Sequence, residues 1–393
     1  MTTGAREGWL AALHDGATTL SPTRDEVIAY DLEGRPSSWF RRGDTFKRSL
    51  ASELYGRRSE HGTRRRWRVE DGDARALLER AVGLAAEARA ALEAGMSLIG
   101  AGDAAVLSAR LERMLAWTPE RLQRERERFL AAYAPISILP PDQYGAIVLQ
   151  ATFGCSWNRC SYCTFYQGRP FQVRSEEAFA LHVEGVERLL GRAAEARRSV
   201  FLADGNALVL SNDRLRPLLE RVRARFPGRS VAGFVDVFSG ERKPLEAWRE
   251  LRALGVERVA IGVETGHDAL LGYLNKPGSA DEAADFVTLL KRAGIAVSVI
   301  FMVGVGGQRY AEGHVQGSAA LLRRLPLDRR DVVYLSPFVR HHDSAYAQRA
   351  SADGLLDLDD AARAEQDRAL RAAARAAVPE ARVARYHIDE FVY

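Results

Sequence analysis

Residues 154–163 of this chain read Gly-Cys-Ser-Trp-Asn-Arg-Cys-Ser-Tyr-Cys, and they contain all three of its cysteines. Four residues separate Cys155 from Cys160, and two separate Cys160 from Cys163. Thiolates gathered in this way are typical ligands of a zinc ion or an iron–sulfur cluster. A tetrahedral zinc site needs a fourth ligand, whereas a cluster with three protein ligands keeps one iron open. The stretch predicts a metal centre and leaves zinc as an alternative.

Around the cysteines, short apolar runs alternate with helical patterns. The predicted strands are 146–151, 199–203, 230–238, 258–263, 295–303 and 331–335, and the predicted helices between them are about 175–197, 212–226, 244–254, 280–293 and 310–324. Buried strands that alternate with helices indicate a parallel sheet with right-handed crossovers. In such sheets the functional loops follow the carboxyl ends of the strands. The cysteine stretch follows the first strand, so it belongs to that edge.

The cysteine spacing, with Tyr162 directly before the last cysteine, resembles the cluster loop of the radical S-adenosylmethionine (SAM) superfamily. The superfamily usually has three and then two intervening residues, and this chain has the variant with four and two. The resemblance implies that the cysteines bind a 4Fe–4S cluster whose open iron is chelated by SAM. It also implies reductive cleavage of SAM to a 5′-deoxyadenosyl radical, and an electron donor such as flavodoxin or ferredoxin. The implied fold is α/β, a partial (β/α)6 TIM-like barrel over residues 141–345.

Two further turns carry the same resemblance. The turn at Asp204 and Gly205 follows the second predicted strand, where the family places a turn that meets the amino group of SAM. The glycine-rich turn that begins at Gly304 follows the fifth strand and is implied to lie along the adenine and the methionine. By the same resemblance Tyr162 packs near the adenine.

Residues 262–266, Gly-Val-Glu-Thr-Gly, resemble the ribose-binding segment of the coproporphyrinogen-oxidase-like and methylthiotransferase-like branch. The resemblance implies that Glu264 accepts hydrogen bonds from the two ribose hydroxyls, a role that suits a carboxylate. Lys276 stands where that branch places a basic residue facing the methionine carboxylate.

Candidates for substrate contact or proton transfer lie after the third and sixth predicted strands. Asp236 is a carboxylate in an apolar context, and His341 and His342 lie in the loop after the sixth strand. At the C-terminus, Tyr393 is a candidate to quench a substrate radical, whereas the alternating pattern of 385–393 favours an ordinary edge strand.

The regions outside 141–345 carry no usable resemblance. Residues 1–140 are predicted to be a mostly helical accessory region, with helices at 73–94, near 103–116 and from Thr118 onward; residues 346–393 are predicted to form a C-terminal helix and strand. Within 39–68, arginines and lysines alternate with aromatic residues. This composition is typical of nucleic-acid binding and also of an ordinary solvated face, and the solvated face is favoured.

Composition limits the classes of protein to which this chain can belong. The chain has 393 residues, a formal charge of +4 and 47% hydrophobic residues, so it is long enough for a large core and is no polycation. No apolar run approaches the length of a membrane span, and clustered cysteines fit a reducing compartment, so we expect a cytoplasmic protein without a membrane partner. With every cysteine assigned, none is left for an auxiliary cluster. The predicted function is a radical SAM enzyme acting on a small molecule or natural product; the alternatives are a tRNA-modifying radical SAM enzyme and a non-catalytic zinc protein.

Overall fold

The computed structural model of the chain describes residues 8–60, 63–100, 102–240, 242–388 and 392–393. The chain divides into two compact units. The N-terminal unit comprises Met1–Ala134, His182–Arg198 and Val392–Tyr393, and the parallel-sheet unit comprises Pro135–Leu181 and Ser199–Phe391. In the part of the chain that is described, no helix combines the length and the apolar character of a membrane span.

The N-terminal unit is built on an eight-stranded sheet. Its strands are β1 (Leu10–Leu13), β2 (Ala17–Thr23), β3 (Glu26–Asp31), β4 (Pro36–Arg41), β5 (Asp44–Arg48), β6 (Leu54–Glu60), β7 (Thr63–Arg68) and β8 (Ser97–Gly100). Strands β1 to β7 form an antiparallel meander, and β8 adds parallel to β1. The prediction of a mostly helical region is therefore wrong for the described residues between 10 and 68. Strands β2, β3 and β6 contain buried positions two residues apart, a period that is hard to recognise beside the many arginines of β4 to β7.

Three helices cover one face of this sheet: α1 (Asp71–Glu93), α2 (Ala104–Leu115) and α3 (Pro119–Ala132). They agree with the helices predicted from apolar periodicity. The Thr118 hydroxyl accepts a hydrogen bond from the Arg121 N–H, as predicted for an N-cap. Ile28 and Trp39 from the sheet share a buried core with Leu84 of α1 and Leu111 of α2.

The parallel-sheet unit contains the second sheet. Its seven strands are β9 (Ile147–Gln150), β12 (Ser199–Ala203), β13 (Ser230–Phe234), β14 (Val256–Glu264), β15 (Ala296–Val303), β16 (Val332–Pro337) and β17 (Arg382–Arg385), and a two-stranded hairpin of β10 (Thr152–Phe153) and β11 (Gln172–Val173) follows β9. All neighbours in the seven-stranded sheet are parallel, and their order follows the chain from β9 to β17 without reversal. Sequential order is that of a βα barrel wall rather than of a doubly wound sheet.

Helices connect the parallel strands as predicted. They are α4 (Glu176–Leu190), α5 (Asn212–Arg225), α6 (Val237–Gly240), α7 (Leu245–Ala253), α8 (Asp268–Tyr273), α9 (Ala280–Arg292), α10 (Gly307–Leu322), α11 (Ala345–Ala352) and α12 (Asp360–Ala377). Every residue of β15 is buried, as expected for a central strand covered on both faces. The prediction of an α/β fold with a parallel sheet is confirmed. The last strand lies at Arg382–Arg385, just before the stretch predicted for it; residues 389–391 of that stretch lie outside the described residues.

Candidate functional site

The cysteine loop leaves the carboxyl end of β9 and is closed at its base by the β10–β11 hairpin. Gly154 opens the loop with φ +68°, and a Cβ there would lie 2.7 Å from the Arg169 carbonyl oxygen. The Asn158 amide donates to the Tyr166 carbonyl oxygen at 2.9 Å. Cys163 N–H donates to the Cys160 carbonyl oxygen at 3.2 Å, which folds the tight Cys160–Cys163 pair into a turn. The loop therefore has a fixed path of its own.

The segment Leu274–Asn275 holds this loop from the other side. Ser161 N–H donates to the Leu274 carbonyl oxygen at 2.9 Å, and the Asn275 amide donates to the Arg159 carbonyl oxygen at 2.7 Å. The Trp157 indole donates in return to the Asn275 carbonyl oxygen at 3.0 Å. Because Lys276 is the next residue, these bonds fix its position relative to the cysteines.

Lys276 and Glu264 form a buried ion pair. The Lys276 Nζ lies 3.3 Å from the Glu264 Oε1, and the two side chains are 11% and 10% exposed. The Tyr162 hydroxyl donates to the same Oε1 at 3.0 Å. Burial lowers the pKa of Lys276, but the negative charges of its acidic neighbours, chiefly that of Glu264, outweigh burial and raise it above its ordinary value. Lys276 is therefore a cation at every physiological pH.

The backbone at Glu264 is strained. Glu264 has φ +66° and lies beside an irregularity in the pairing of β14 with β15. A non-glycine residue in the left-handed region costs about 1–2 kcal/mol. A Cβ on Gly262 would run into the Glu264 carboxylate, so glycine at that position leaves the carboxylate room to face Lys276. Strain of this kind concentrates at functional sites, and here it turns the carboxylate toward Lys276 and Tyr162.

One cavity brings the cysteines together with this pair. Its lining includes Cys155, Cys160 and Cys163 with Glu264 and Lys276. All three cysteines are free and partly exposed. Burial raises the pKa of the Cys160 thiol to about 11 and that of Cys163 to about 12. Both are protonated thiols without a metal, and metal binding would displace their protons.

The donor set fits an iron–sulfur cluster. In such a cluster each thiolate binds its own iron, so the ligands need to border a common cavity rather than meet at one atom. Among the described residues, no three His, Cys, Asp or Glu side chains are placed to share a single metal ion. The three thiols on one cavity wall, next to a buried carboxylate and a buried ammonium, match a cluster with a charged ligand beside it.

Asp236 also lines the cavity, but its carboxylate is already engaged. Its Oδ2 accepts from the Asn206 amide and from the Ser239 hydroxyl, and its Oδ1 accepts from Ser239 N–H at 2.7 Å. The Asn206 amide also donates to the Ser156 hydroxyl at 2.7 Å, beside Cys155. The predicted catalytic carboxylate is thus a fixed acceptor in a network. Asn206 lies in the predicted turn, but no sequence pattern indicated that its amide would hold this carboxylate.

The two residues of the turn after β12 have different positions. Gly205 lines the cavity, and a Cβ there would lie 2.6 Å from the Tyr166 ring. Asp204 is 4% exposed and is absent from the described lining. Burial raises the pKa of Asp204 to about 6, against the lowering effect of its hydrogen bonds with the Tyr166 hydroxyl and the Gly154 N–H. The Asp204 carboxylate therefore supports the cysteine loop, and Gly205 is the part of this turn that reaches the cavity.

Tyr162 and His341 also line the cavity, but three other candidate residues lie elsewhere. His342 is exposed to solvent. Gly304 N–H donates to the Gln366 amide oxygen at 2.6 Å, behind the lining. Tyr393 belongs to the N-terminal unit, where its ring packs edge-on against Tyr133 with centroids 5.8 Å apart. The structure gives none of these three a contact with the cavity.

A buried histidine that no sequence motif indicated fixes the loop after Glu264. His314 is fully buried; its Nε2 lies 2.7 Å from the Met302 carbonyl oxygen and its Nδ1 lies 2.7 Å from the Thr265 hydroxyl. A carbonyl only accepts, so Nε2 carries the proton and Nδ1 accepts from Thr265. Burial lowers the pKa of His314 to about 4, so the ring is neutral. His314 lies within a helical sequence pattern, and that pattern does not indicate a buried, hydrogen-bonded histidine.

Comparison with known proteins assigns the family. The model of the radical SAM superfamily matches residues 149–314, from the end of β9 to the middle of α10, and so covers the cysteine loop, Glu264 and Lys276. The match spans less than half of the chain and supports radical SAM superfamily membership for that part. This is a family of enzymes that use a 4Fe–4S cluster and SAM, so the predicted family and cofactors are confirmed.

The similarity to individual proteins is partial. An uncharacterized protein of Methanopyrus kandleri is 30% identical over 167 residues, which span 39% of this chain and 30% of that relative. Among solved structures, coproporphyrinogen III oxidase from Escherichia coli aligns with a TM-score of 0.44 and 17% identity, over 65% of this chain and 56% of the oxidase. Methylornithine synthase aligns with a TM-score of 0.41 and 16% identity, over 62% of this chain and 73% of the synthase.

Proposed function

We propose that this chain is a radical SAM enzyme that abstracts hydrogen from a small-molecule or natural-product substrate. The observation that supports this proposal most is the shared cavity, where three free thiols face a buried Glu264–Lys276 pair at the carboxyl edge of a parallel sheet. Cys155, Cys160 and Cys163 hold the cluster in this proposal. Thiol ligands must stay reduced, which places the protein in a reducing compartment such as the cytoplasm.

The cofactors supply the difficult chemistry: a reduced cluster and SAM together provide a carbon radical that removes a hydrogen atom from an unactivated carbon. The chain supplies recognition. Glu264 accepts hydrogen bonds from the ribose hydroxyls, and Lys276 attracts the methionine carboxylate. The two side chains neutralise each other when the ligand is absent, so neither charge is left unpaired in its buried position. An electron donor of the flavodoxin or ferredoxin type completes the proposal.

The remaining lining of the cavity indicates what part of a substrate it accepts. It is largely apolar and includes Ile138, Phe234, Ile300, Phe338 and Ile388. Such a wall favours an uncharged hydrocarbon or aromatic portion, since a buried charge without a partner is costly. Of the other titratable side chains in this lining, Asp236, Tyr166 and Tyr386 are already held by hydrogen bonds within the protein. We therefore propose His341 as the hydrogen-bonding or proton-transfer group.

Anaerobic purification and reconstitution test the proposal. We expect about four iron and four sulfide per chain, a brown protein with absorbance near about 400 nm, and 5′-deoxyadenosine release when SAM and dithionite are added. A variant with all three cysteines changed to alanine is the matched negative control. A colourless protein with one zinc and no sulfide would instead support the structural zinc alternative and refute the proposal.

A further inference from the structure

The sheet of the N-terminal unit has a second face that α1, α2 and α3 do not cover. Strand pairing aligns Phe40 with Thr45, Thr45 with Arg57 and Arg57 with Arg66 across β4 to β7. The next row toward the other end of the strands is Ser38, Lys47, Tyr55 and Arg68. Because side chains alternate along a strand, these two rows lie on one face, which we call the basic face.

The residues between these rows confirm the division of the sheet. Trp39 pairs with Phe46, Phe46 with Gly56, and Gly56 with Trp67. Trp39 belongs to the buried core, and Phe46 and Trp67 pack against that core. The aromatic row therefore points toward the helices. On the basic face, Lys47 and Arg57 are exposed, and Phe40 is 39% exposed although it is a large apolar side chain.

Ion pairs occur on both faces of the sheet, and on the basic face Arg68 pairs with Glu53 at 3.7 Å and with Asp71 at 3.6 Å. On the core side, Arg41 pairs with Glu26 at 3.5 Å and Arg58 pairs with Asp44 at 2.5 Å. On the basic face, neither Lys47 nor Arg57 makes an ion pair or side-chain hydrogen bond with any described residue. Arg57 also stands directly opposite Arg66, an arrangement of like charges that destabilises an antiparallel pair. An anion bound between Arg57 and Arg66 would reduce this repulsion.

Aromatic rings accompany these charges. The Arg66 guanidinium lies 4.7 Å from the centroid of the Tyr55 ring, and the exposed Phe40 ring lies in the same row as Arg57. Strands are about 4.8 Å apart, so one row of four residues spans roughly 15 Å of a gently twisted surface. Sheets that bind single-stranded nucleic acid combine two features: cations neutralise the phosphates, and aromatic rings beside these cations stack with the bases. An anionic lipid surface or an acidic protein would not need the flat ring.

We propose that the basic face binds single-stranded nucleic acid, with phosphates on Lys47, Arg57 and Arg66 and a base stacked on Phe40. The proposal does not depend on the cluster chemistry, because it concerns the N-terminal unit alone. A single-stranded ligand can be RNA or DNA, since both offer the same phosphates and bases.

Fluorescence anisotropy of the full chain with a labelled 16-nucleotide oligouridylate tests this proposal, with a matching oligodeoxythymidylate as the second arm. We expect binding that weakens with salt. Lys47→Gln with Arg57→Gln should weaken binding at low salt at least tenfold and lower the salt slope by about 1.4, because each phosphate contact contributes about 0.7 on a single strand. The matched control is Arg89→Gln with Arg124→Gln, which removes two exposed cations from α1 and α3 and should change neither value.

A second variant separates nucleic acid from a generic polyanion. Phe40→Leu keeps the charge and an apolar side chain but removes the ring, so binding should weaken about fivefold or more with an unchanged salt slope. A preference for RNA over DNA, or equal binding of both, supports the proposal. Absence of binding at low salt, equal weakening in the control pair, no effect of Phe40→Leu, or equal competition by duplex DNA or phosphatidylserine vesicles would each overturn it.

Discussion

The two sheets of this protein differ in where they carry their reactive and charged side chains. The parallel sheet is buried on both faces, and its reactive side chains stand in the loops at the carboxyl ends of β9, β12, β13 and β14. The antiparallel sheet buries one face and exposes the other, so its charged side chains lie along the strands themselves. A parallel sheet gathers a few residues at one edge, whereas an antiparallel sheet spreads many residues over a surface.

This difference has an energetic counterpart. At the edge of the parallel sheet, the strained backbone and the buried charges of Glu264 and Lys276 must be held by the rest of the fold. On the basic face, Lys47 and Arg57 are solvated, and a substitution there changes stability little. We therefore expect variants of the cavity edge to alter cofactor chemistry or stability, and variants of the basic face to alter binding alone.

The largest effect should come from Cys160→Ala. The variant removes the protein ligand of one iron, so 5′-deoxyadenosine release should fall on the order of a thousandfold or more. The thiol is only partly buried in a loop, so the free energy of unfolding should change by less than about 1 kcal/mol. Iron content, product release and urea unfolding measure these effects.

The matched control is Ser161→Ala in the same turn. The Ser161 hydroxyl is buried and has no hydrogen-bond partner among the described residues, so its removal should preserve iron content and product release. The comparison of the two sheets adds a second requirement, since oligonucleotide affinity should be the same in Cys160→Ala as in the parent. Product release at the parent rate from Cys160→Ala would refute the ligand assignment.

The next largest effect is expected at Glu264, because a substitution there alters both a buried ion pair and a strained backbone. Glu264→Ala leaves Lys276 buried without its partner and should destabilise the protein by about 3 kcal/mol. Glu264→Gly makes the same deletion but relieves the left-handed backbone, so it should be about 1 kcal/mol more stable than the alanine variant. Urea unfolding gives both values, and both variants should lose SAM-dependent product.

The control for the expected preference for glycine at position 264 is Ala260→Gly. Ala260 lies in the same strand and has no unusual φ, so the glycine variant should be less stable than the parent. If glycine and alanine at position 264 prove equally stable, the strain at that position is absent from the protein in solution.

A pair of glycines compares the two sheets directly. Gly56→Ala places a methyl group against the Trp67 indole, a bulky group packed on the N-terminal core, and should cost about 2 kcal/mol of stability without changing product release. Gly262→Ala places it against the Glu264 carboxylate, the end of a side chain that can shift. It should cost about 1 kcal/mol and lower product release about tenfold. Thermal unfolding and product assays separate the two, and the reverse pattern would contradict the comparison.

The two sheets also differ in how well sequence predicts them. The parallel strands are continuous apolar runs separated by helices with clear periodicity, so their positions and the edge that carries the cysteines were predictable. The meander was missed because its exposed positions are occupied by arginines, as at Arg57 and Arg66, which obscure the alternation. In the cavity, local motifs indicated Glu264 and Lys276, but their mutual pairing depends on a backbone conformation that no residue pattern shows.

Asp204 and Tyr393 also show this limit of sequence prediction, because both were candidate site residues and neither is among the residues that line the cavity. Each stands in a segment that a motif or an alternating pattern singles out, yet burial against Tyr166 in one case and packing on Tyr133 in the other decide where the side chain goes. Packing of this kind depends on contacts between distant parts of the chain, which local spacing does not encode.

The smallest effect concerns His314 and is a pH dependence of stability. Burial is the main cause of its low pKa of about 4, the nearby charge of His267 lowers it further, and the hydrogen bond to Met302 opposes both. The ordinary pKa of histidine is about 6.5, so the unfolded chain takes up this proton first as the pH falls. The stabilisation from neutral His314 is therefore complete above about pH 6.5, decreases as the pH falls toward 4, and is lost below it.

Between pH 7 and pH 5.5 this linkage should lower the free energy of unfolding by about 1 kcal/mol. Other histidines titrate in the same range, so the quantity to compare is the pH dependence of the parent minus that of His314→Gln, which keeps a donor and an acceptor but cannot titrate. The difference should have the stated sign and size, because His314 joins the loop after Glu264 to β15 only in its neutral form. An identical pH dependence in both proteins would mean that this loop is held in another way.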